Sequence, residues 1–108
     1  MSIQRRKAPR LSSVLPVKLQ KDKKGFIAAL GNDISMLGIG MECAEKFDVG
    51  SELLFEIFLS NGKMIKLKGK VMWNLLKDNK YYYGVKFSKI NLFNKFKLFS
   101  FIRLVKKI

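Results

Sequence analysis

The most constraining feature of this sequence is a pair of alternating apolar runs joined by a turn. Apolar residues occupy every second position from Leu53 to Leu59 and again from Ile65 to Trp73. Asn61-Gly62, a strong hairpin signal, lies between the runs. Lysines at positions 66, 68 and 70 fill the other face of the second run. This pattern predicts an antiparallel hairpin with one buried face and one solvated face. It favours a core or rim position for Trp73, with a base-stacking role as the alternative.

Short β-type segments separated by turn residues make up most of the remaining chain. Further strands are predicted at VLPVKLQ (14–20), FIAALGNDI (26–34), IGMEC (39–43) and YYYGVKFS (81–88). Pro16 must lie at an edge or bulge, and Gly69 and Gly84 mark bends or close backbone approaches. Such strands predict a mainly β fold, a small antiparallel barrel.

The C-terminal segment has a different pattern. Residues 91–108 contain no Gly or Pro and space their apolar residues three and four apart, which predicts a helix at about 91–107 packed across the barrel. Residues 13–108 are therefore predicted to form a single domain, and residues 1–12 a flexible arginine-rich arm of that domain.

Net charge and residue usage narrow the class of function. The chain has 22 basic and 8 acidic residues, no histidine and one cysteine, Cys43. A single cysteine excludes an internal disulfide and suits a reducing cytoplasm, and we expect it to be a small buried apolar residue. No apolar run reaches the roughly 18 residues of a membrane span, and no secretory signal follows the N-terminal charges. Since no nucleophile–base pair or metal-ligand cluster is visible, we expect a binding module and not an enzyme.

The arginines are distributed differently from the lysines. Of the 22 basic residues, 18 are lysine and four are arginine, and Arg5, Arg6 and Arg10 lie within six positions of each other. A guanidinium group binds phosphates and the guanine edge through a planar fork of donors, which an ammonium group lacks. The cluster therefore indicates an anion or nucleotide contact, with a solvated basic terminus as the alternative.

A second polar motif follows the second predicted strand. Asp33, Ser35 and Gly38 form a D-x-S-x-x-G string. By itself the string is typical of a tight turn, in which Asp and Ser bind nearby backbone N–H groups and Gly supplies a positive φ.

The two motifs together resemble the PilZ domain, a family of six-stranded barrels that bind the bacterial second messenger cyclic di-GMP. Arg6 and Arg10 form R-x-x-x-R, roughly twenty-odd residues before D-x-S-x-x-G. The resemblance extends to about Phe87 through the segments Leu15-Pro16-Val17, Gly38-Ile39-Gly40-Met41, Gly69-Lys70-Val71-Met72-Trp73 and Tyr83-Gly84-Val85-Lys86-Phe87. It implies a barrel with a C-terminal helix.

The resemblance also implies roles for individual residues. Arg6 and Arg10 would clasp phosphate and guanine, and the Asp33 carboxylate would accept from guanine N1–H and N2–H₂. Ser35 would hydrogen-bond a base or phosphate, and Gly38 would keep the turn free of a Cβ. Arg5 precedes the motif, where an arginine in the family is associated with an intercalated dimer of the ligand. No other cofactor is implied.

Several alternatives stay open at this point. The chain could be a small basic barrel that binds nucleic acid non-specifically, or a PilZ-like adaptor that no longer binds nucleotide. The preferred hypothesis is a cytoplasmic cyclic di-GMP receptor that signals to an effector protein in trans.

The apolar residues of the C-terminal helix cover more than one face. This suggests that the helix forms a homodimer, docks to a partner or contacts an anionic inner-membrane surface. The alternative is that the barrel and a folded tail together bury all of these residues.

Overall fold

The computed structural model describes residues 11–106, with side chains from 14 to 104. The chain forms six strands followed by one helix. The elements are β1 (Leu11–Gln20), β2 (Ile27–Ile34), β3 (Gly38–Cys43), β4 (Glu52–Phe58), β5 (Met64–Lys77), β6 (Lys80–Lys89) and α1 (Leu92–Lys106).

The strands close into a single antiparallel barrel. Their order around the barrel is β1-β2-β3-β6-β5-β4. The first three and the last three strands therefore form two meanders, which are joined by the β3–β6 and β1–β4 pairings. The prediction of a mainly β, six-stranded antiparallel barrel with a C-terminal helix is confirmed.

The hairpin predicted between the alternating runs is present between β4 and β5. Gly62 has a φ of 87°, and the Leu59 N–H donates to the Lys63 carbonyl at 2.8 Å. The buried residues of the two runs line the barrel interior together with those of the other strands and of α1. This core includes Leu15, Leu19, Ile39, Leu53, Phe55, Ile57, Ile65, Val71, Tyr83, Leu98 and Phe101.

Of the two positions predicted for Trp73, core and rim, the structure excludes the core. The β5–β6 register shifts between Val71 and Trp73, and such a bulge changes the face on which following side chains lie. Trp73 is consequently 52% exposed. β5 also continues to Lys77, where Asp78 and Asn79, both with positive φ, form the turn into β6.

The predictions for Pro16 and Gly69 are confirmed. Pro16 pairs with Leu30 of β2, whereas the β1–β4 pairing begins only at Val17, so proline lies on a stretch of β1 with one unpaired edge. A Cβ on Gly69 would lie 2.6 Å from Val85 Cγ1 and 2.9 Å from Phe55 Cε2, because strands and core meet closely there.

A buried tyrosine fastens the loop between β3 and β4. The Tyr83 hydroxyl donates to the Glu45 carbonyl at 2.8 Å and accepts from the Phe47 N–H at 2.7 Å. Burial raises the pKa of the Tyr83 phenol.

Cys43 is buried, as expected from the sequence. Its Sγ donates to the Glu45 carbonyl, and burial raises the pKa of its thiol.

Helix α1 closes against the barrel through β5 and β1. Asn91 caps the helix, since its Oδ1 accepts from the Asn94 N–H at 2.8 Å. The Asn94 side chain in turn accepts from the Lys66 N–H of β5 at 3.1 Å. In the described part of the chain, no helix has the length and apolar character needed to cross a bilayer.

Replacing Tyr83 with Phe should destabilise the protein by about 1–3 kcal/mol, because the buried Phe47 N–H loses its acceptor. Urea unfolding measures the difference. The matched control is Tyr82→Phe, at a half-buried neighbour, for which we expect a change within about 0.5 kcal/mol. Equal losses in both variants would contradict the assigned role of Tyr83.

The same hydroxyl should make stability depend on alkaline pH. A folded-state pKa raised above the unfolded value of about 10 means that the neutral phenol stabilises the fold below pH 10. That contribution is lost as the pH rises through the folded pKa. Unfolding free energies measured from pH 8 to 11 should therefore decrease more steeply for the wild type than for Tyr83→Phe.

Candidate functional site

The barrel wall carries a row of directly paired residues across five strands. Ser12 of β1 pairs with Asp33 of β2, and Asp33 pairs with Gly40 of β3. Gly40 pairs with Gly84 of β6, and Gly84 pairs with Trp73 of β5. The two glycines at the centre have no side chains of their own, so the side chains of their neighbours can lie over them.

The Asp33 carboxylate is fixed over the first of these glycines. Its Oδ1 accepts from the Gly40 N–H at 3.1 Å, and the residue is half-buried. A Cβ on Gly40 would lie 2.9 Å from that oxygen. The absence of a side chain at position 40 therefore allows the carboxylate to lie against the sheet.

The Trp73 indole covers the second glycine in the same way. A Cβ on Gly84 would lie 2.0 Å from Trp73 Nε1 and 2.4 Å from Cε2. Because Gly40 and Gly84 are on paired strands about 5 Å apart, the carboxylate and the indole lie side by side. The indole is 52% exposed, so part of its surface is accessible to a ligand.

These side chains line an open cavity of about 310 Å³. Its lining residues are Asn32, Asp33, Gly40, Met41, Trp73, Tyr82, Tyr83 and Gly84. A carboxylate that accepts hydrogen bonds beside an aromatic surface suits a planar ligand that carries N–H donors at its edge. A larger cavity, of about 440 Å³, lies near Phe26 and Leu54 and contains neither predicted motif.

Ser35 organises the turn that follows Asp33. The residue is 1% exposed, and its Oγ accepts from the Leu37 N–H at 3.1 Å and from the Gly38 N–H at 3.3 Å. Its own N–H donates to the Gly38 carbonyl at 2.9 Å. The hydroxyl therefore holds the turn, and its direct contact with a ligand stays a prediction.

The sequence offers two reasons for a glycine at position 38, namely a positive φ in a tight turn and a turn free of a Cβ. The structure contradicts the first reason, because within residues 11–106 the glycines with positive φ are Gly50 and Gly62. A Cβ on Gly38 would instead lie 2.2 Å from the Val85 carbonyl oxygen of β6. Gly38 thus permits the close approach of β3 to β6.

The arginines of the predicted clasp, Arg5, Arg6 and Arg10, lie outside the described residues. Their point of connection to the barrel is described: Leu11, which follows Arg10, pairs with Ile34, and Ser12 pairs with Asp33. The first two residues of β1 thus belong to the segment predicted as an arm. The described part of β1 therefore begins beside Asp33.

The sequence did not indicate that Gly40 and Gly84 belong to this site, and it favoured a core or rim position for Trp73 over base stacking. Gly40 and Gly84 leave room for the Asp33 carboxylate and the Trp73 indole against the barrel wall. The sequence does hold a signal near Trp73, because the adjacent apolar residues Leu75 and Leu76 break the alternation of β5. In the structure both leucines are exposed. In residues 11–106, no group of three or more His, Cys, Asp or Glu residues is arranged to hold a metal ion.

Comparison with known proteins identifies the family. The model of the PilZ domain matches residues 4–103, which include both predicted motifs. The chain belongs to the PilZ family. No protein of curated function matches the sequence.

Solved structures of PilZ-containing proteins are similar to this chain. The Bacillus subtilis inhibitor of motility MotI/DgrA is 26% identical with a TM-score of 0.80, over 97% of this chain and 53% of that one. Escherichia coli YcgR in complex with c-di-GMP is 13% identical with a TM-score of 0.82, over 97% and 47%. The MrkH–c-di-GMP complex of K. pneumonia is 15% identical with a TM-score of 0.79, over 95% and 52%. This chain thus spans about half the length of these relatives.

Replacing Gly38 with Ala should destabilise the barrel by about 1–3 kcal/mol, because the new methyl group would meet the Val85 carbonyl oxygen. Urea unfolding provides the measurement. Gly25→Ala is the matched control, since a Cβ there has nothing within 4 Å. If Gly38→Ala proved as stable as Gly25→Ala, the packing role of Gly38 would be wrong.

Proposed function

We propose that this chain is a receptor for cyclic di-GMP. The observation that carries the proposal is the row that sets the Asp33 carboxylate beside the Trp73 indole over Gly40 and Gly84. The R-x-x-x-R motif joins the barrel one strand away, where Leu11 pairs with Ile34. Membership of the PilZ family and the similarity to two receptors solved with c-di-GMP support the same function.

The site and the guanine base have complementary chemistry. Guanine presents the N1–H and N2–H₂ donors on one edge, and an ionised carboxylate such as Asp33 accepts both. A base in this position would lie next to the exposed Trp73 indole, and base–aromatic stacking contributes about 1–3 kcal/mol. Hydrogen bonding and stacking at one place favour a guanine nucleotide over a simple anion.

The arginines supply the interactions that Asp33 and Trp73 cannot. Cyclic di-GMP is a dianion, and Arg6 and Arg10 would bind its phosphates and the O6/N7 edge of guanine through bidentate hydrogen bonds. Arg5 would contact a second, intercalated molecule of the ligand. Ser35 and Gly38 would shape the turn against which the arginine segment closes, and Ser35 would also offer its hydroxyl to the ligand.

We further propose that ligand binding signals to a separate protein. Closure of the segment that carries Arg5, Arg6 and Arg10 onto the Asp33–Gly38 turn would change the surface around that turn. A partner in trans, located like the ligand in the cytoplasm, would recognise the changed surface. On this proposal the chain is a binding protein and not an enzyme.

Isothermal titration calorimetry with cyclic di-GMP tests the site. Loss of one charge-assisted contact in Arg6→Ala, Arg10→Ala or Asp33→Asn should weaken binding about 10- to 150-fold. Arg10→Lys should recover only part of the loss, because lysine keeps the charge but not the planar fork. GTP and cyclic GMP should bind much more weakly than cyclic di-GMP.

The matched controls are Arg103→Ala and Asp48→Asn, which remove the same side chains outside the site and should leave affinity within about twofold. Raising the salt concentration distinguishes the nucleic-acid alternative, since polyanion binding declines steeply as counterions are released. Unchanged affinity in the Arg6 and Arg10 variants would overturn the site. Absence of cyclic di-GMP binding in the wild type would overturn the function.

Arg5 should determine how many ligand molecules bind. We expect two molecules of cyclic di-GMP per chain in the wild type and one in Arg5→Ala, because the guanidinium would contact the second, intercalated molecule. The calorimetric stoichiometry measures this directly. A ratio of one in both proteins would disprove the intercalated dimer and leave the single-ligand site intact.

A further inference from the structure

Helix α1 has two apolar faces, and the barrel covers only one of them. Leu98, Phe101 and Ile102 are buried against the core. On the opposite side of the helix, five large apolar residues remain exposed by 44–81%, namely Leu92, Phe93, Phe96, Phe99 and Leu104. We call these five residues the outer face of α1. Three adjacent Phe side chains exposed on a single helix form a contiguous apolar surface, which indicates a binding site.

The charge around the outer face has a single sign. The last acidic residue in the sequence is Asp78, so α1 carries none, whereas Lys95, Lys97 and Arg103 lie on or beside the outer face. In a helix of 3.6 residues per turn, Lys95 and Lys97 are on opposite flanks of the outer face and Arg103 is within it. An occupant must therefore be apolar at the centre and anionic around it.

The basic side chains also extend along the aromatic rings. Lys97 Nζ lies 4.7 Å from the Phe93 ring centroid, and Arg103 Cζ lies 5.7 Å from that of Phe99. Lys97 Nζ also donates to the Met64 carbonyl of β5 at 3.2 Å. Lys95 and Arg103 are exposed, as basic residues that reach lipid headgroups at a membrane surface must be.

We propose that the outer face of α1 docks on an anionic lipid bilayer. The helix would lie in the plane of the interface, with its Phe and Leu side chains among the acyl chains and its basic groups at the anionic headgroups. A second copy of the chain does not meet the charge requirement, because it would bring identical basic residues together on a protein of net charge +14. The proposal is independent of the proposed nucleotide site.

Vesicle co-sedimentation of the full chain tests the proposal. The chain should bind vesicles that contain phosphatidylglycerol and bind pure phosphatidylcholine vesicles much more weakly. Phe96→Ser or Leu104→Ser should weaken binding at least about tenfold, because each removes apolar area from the interface. Leu76→Ser is the matched control, because Leu76 lies at the end of β5 that is distant from α1. Its side chain is 59% exposed, close to the 57% of Leu104, so both substitutions remove a similar apolar surface.

A charge-matched pair tests the electrostatic part. Lys95→Gln combined with Arg103→Gln should weaken binding about 25-fold, since each basic group near an anionic surface contributes about fivefold. Lys46→Gln combined with Lys77→Gln removes the same net charge away from α1 and should have a much smaller effect. Equal effects of the two pairs would mean that only the overall charge attracts the protein, which would overturn the docking of α1.

A spectroscopic readout does not depend on affinity. The chain has one tryptophan, Trp73, so Phe96→Trp in a Trp73→Phe background reports on α1 alone. Its emission should shift to the blue on phosphatidylglycerol vesicles and stay unchanged on phosphatidylcholine. No shift, or a chain that is dimeric in analytical ultracentrifugation and becomes monomeric with Phe96→Ser, would overturn the proposal.

Discussion

The pairing of β3 with β6 is the interaction on which both the barrel and the site depend. It joins the two three-stranded meanders and, together with the β1–β4 pairing, closes the sheet. We call the β3–β6 pairing the seam. At its start the Leu37 carbonyl accepts from the Phe87 N–H at 2.8 Å, and Gly38 lies against the Val85 carbonyl. The buried Ser35 hydroxyl stabilises the turn that places Gly38 at this position.

The seam also assembles the candidate site. Asp33 is on the first meander and Trp73 is on the second, and they become neighbours only because Gly40 pairs with Gly84 across the seam. Glycine is needed at both positions, since the carboxylate lies over one and the indole over the other. The D-x-S-x-x-G motif therefore has two physical roles: Ser35 and Gly38 build the closure of the barrel, and Asp33 faces the cavity beside it.

Helix α1 shows how a small barrel leaves apolar surface unused. Its inner face, which includes Leu98 and Phe101, completes the core, and the Asn94 side chain fastens the helix to β5. Within residues 11–106 the strands form one closed layer, and five large apolar residues on the opposite face of α1 remain exposed. The exposed aromatic residues of that face are the basis of the proposed docking of α1 on an anionic bilayer.

The sequence by itself determined the strands, the β4–β5 turn and the helix, because alternation, turn residues and helical spacing are local properties that strand and helix geometry impose. It also determined the motif pair that resembles the PilZ family, a resemblance that the family match confirms. Only the tertiary structure decided that Trp73 leaves the core, since the bulge after Val71 depends on the register with β6. It likewise decided that Gly38 serves a close approach and not a positive φ, and that Asp33 and Trp73 meet over two glycines. These facts depend on which strands pair across a closed barrel, and pairing between residues distant in the sequence leaves no local pattern.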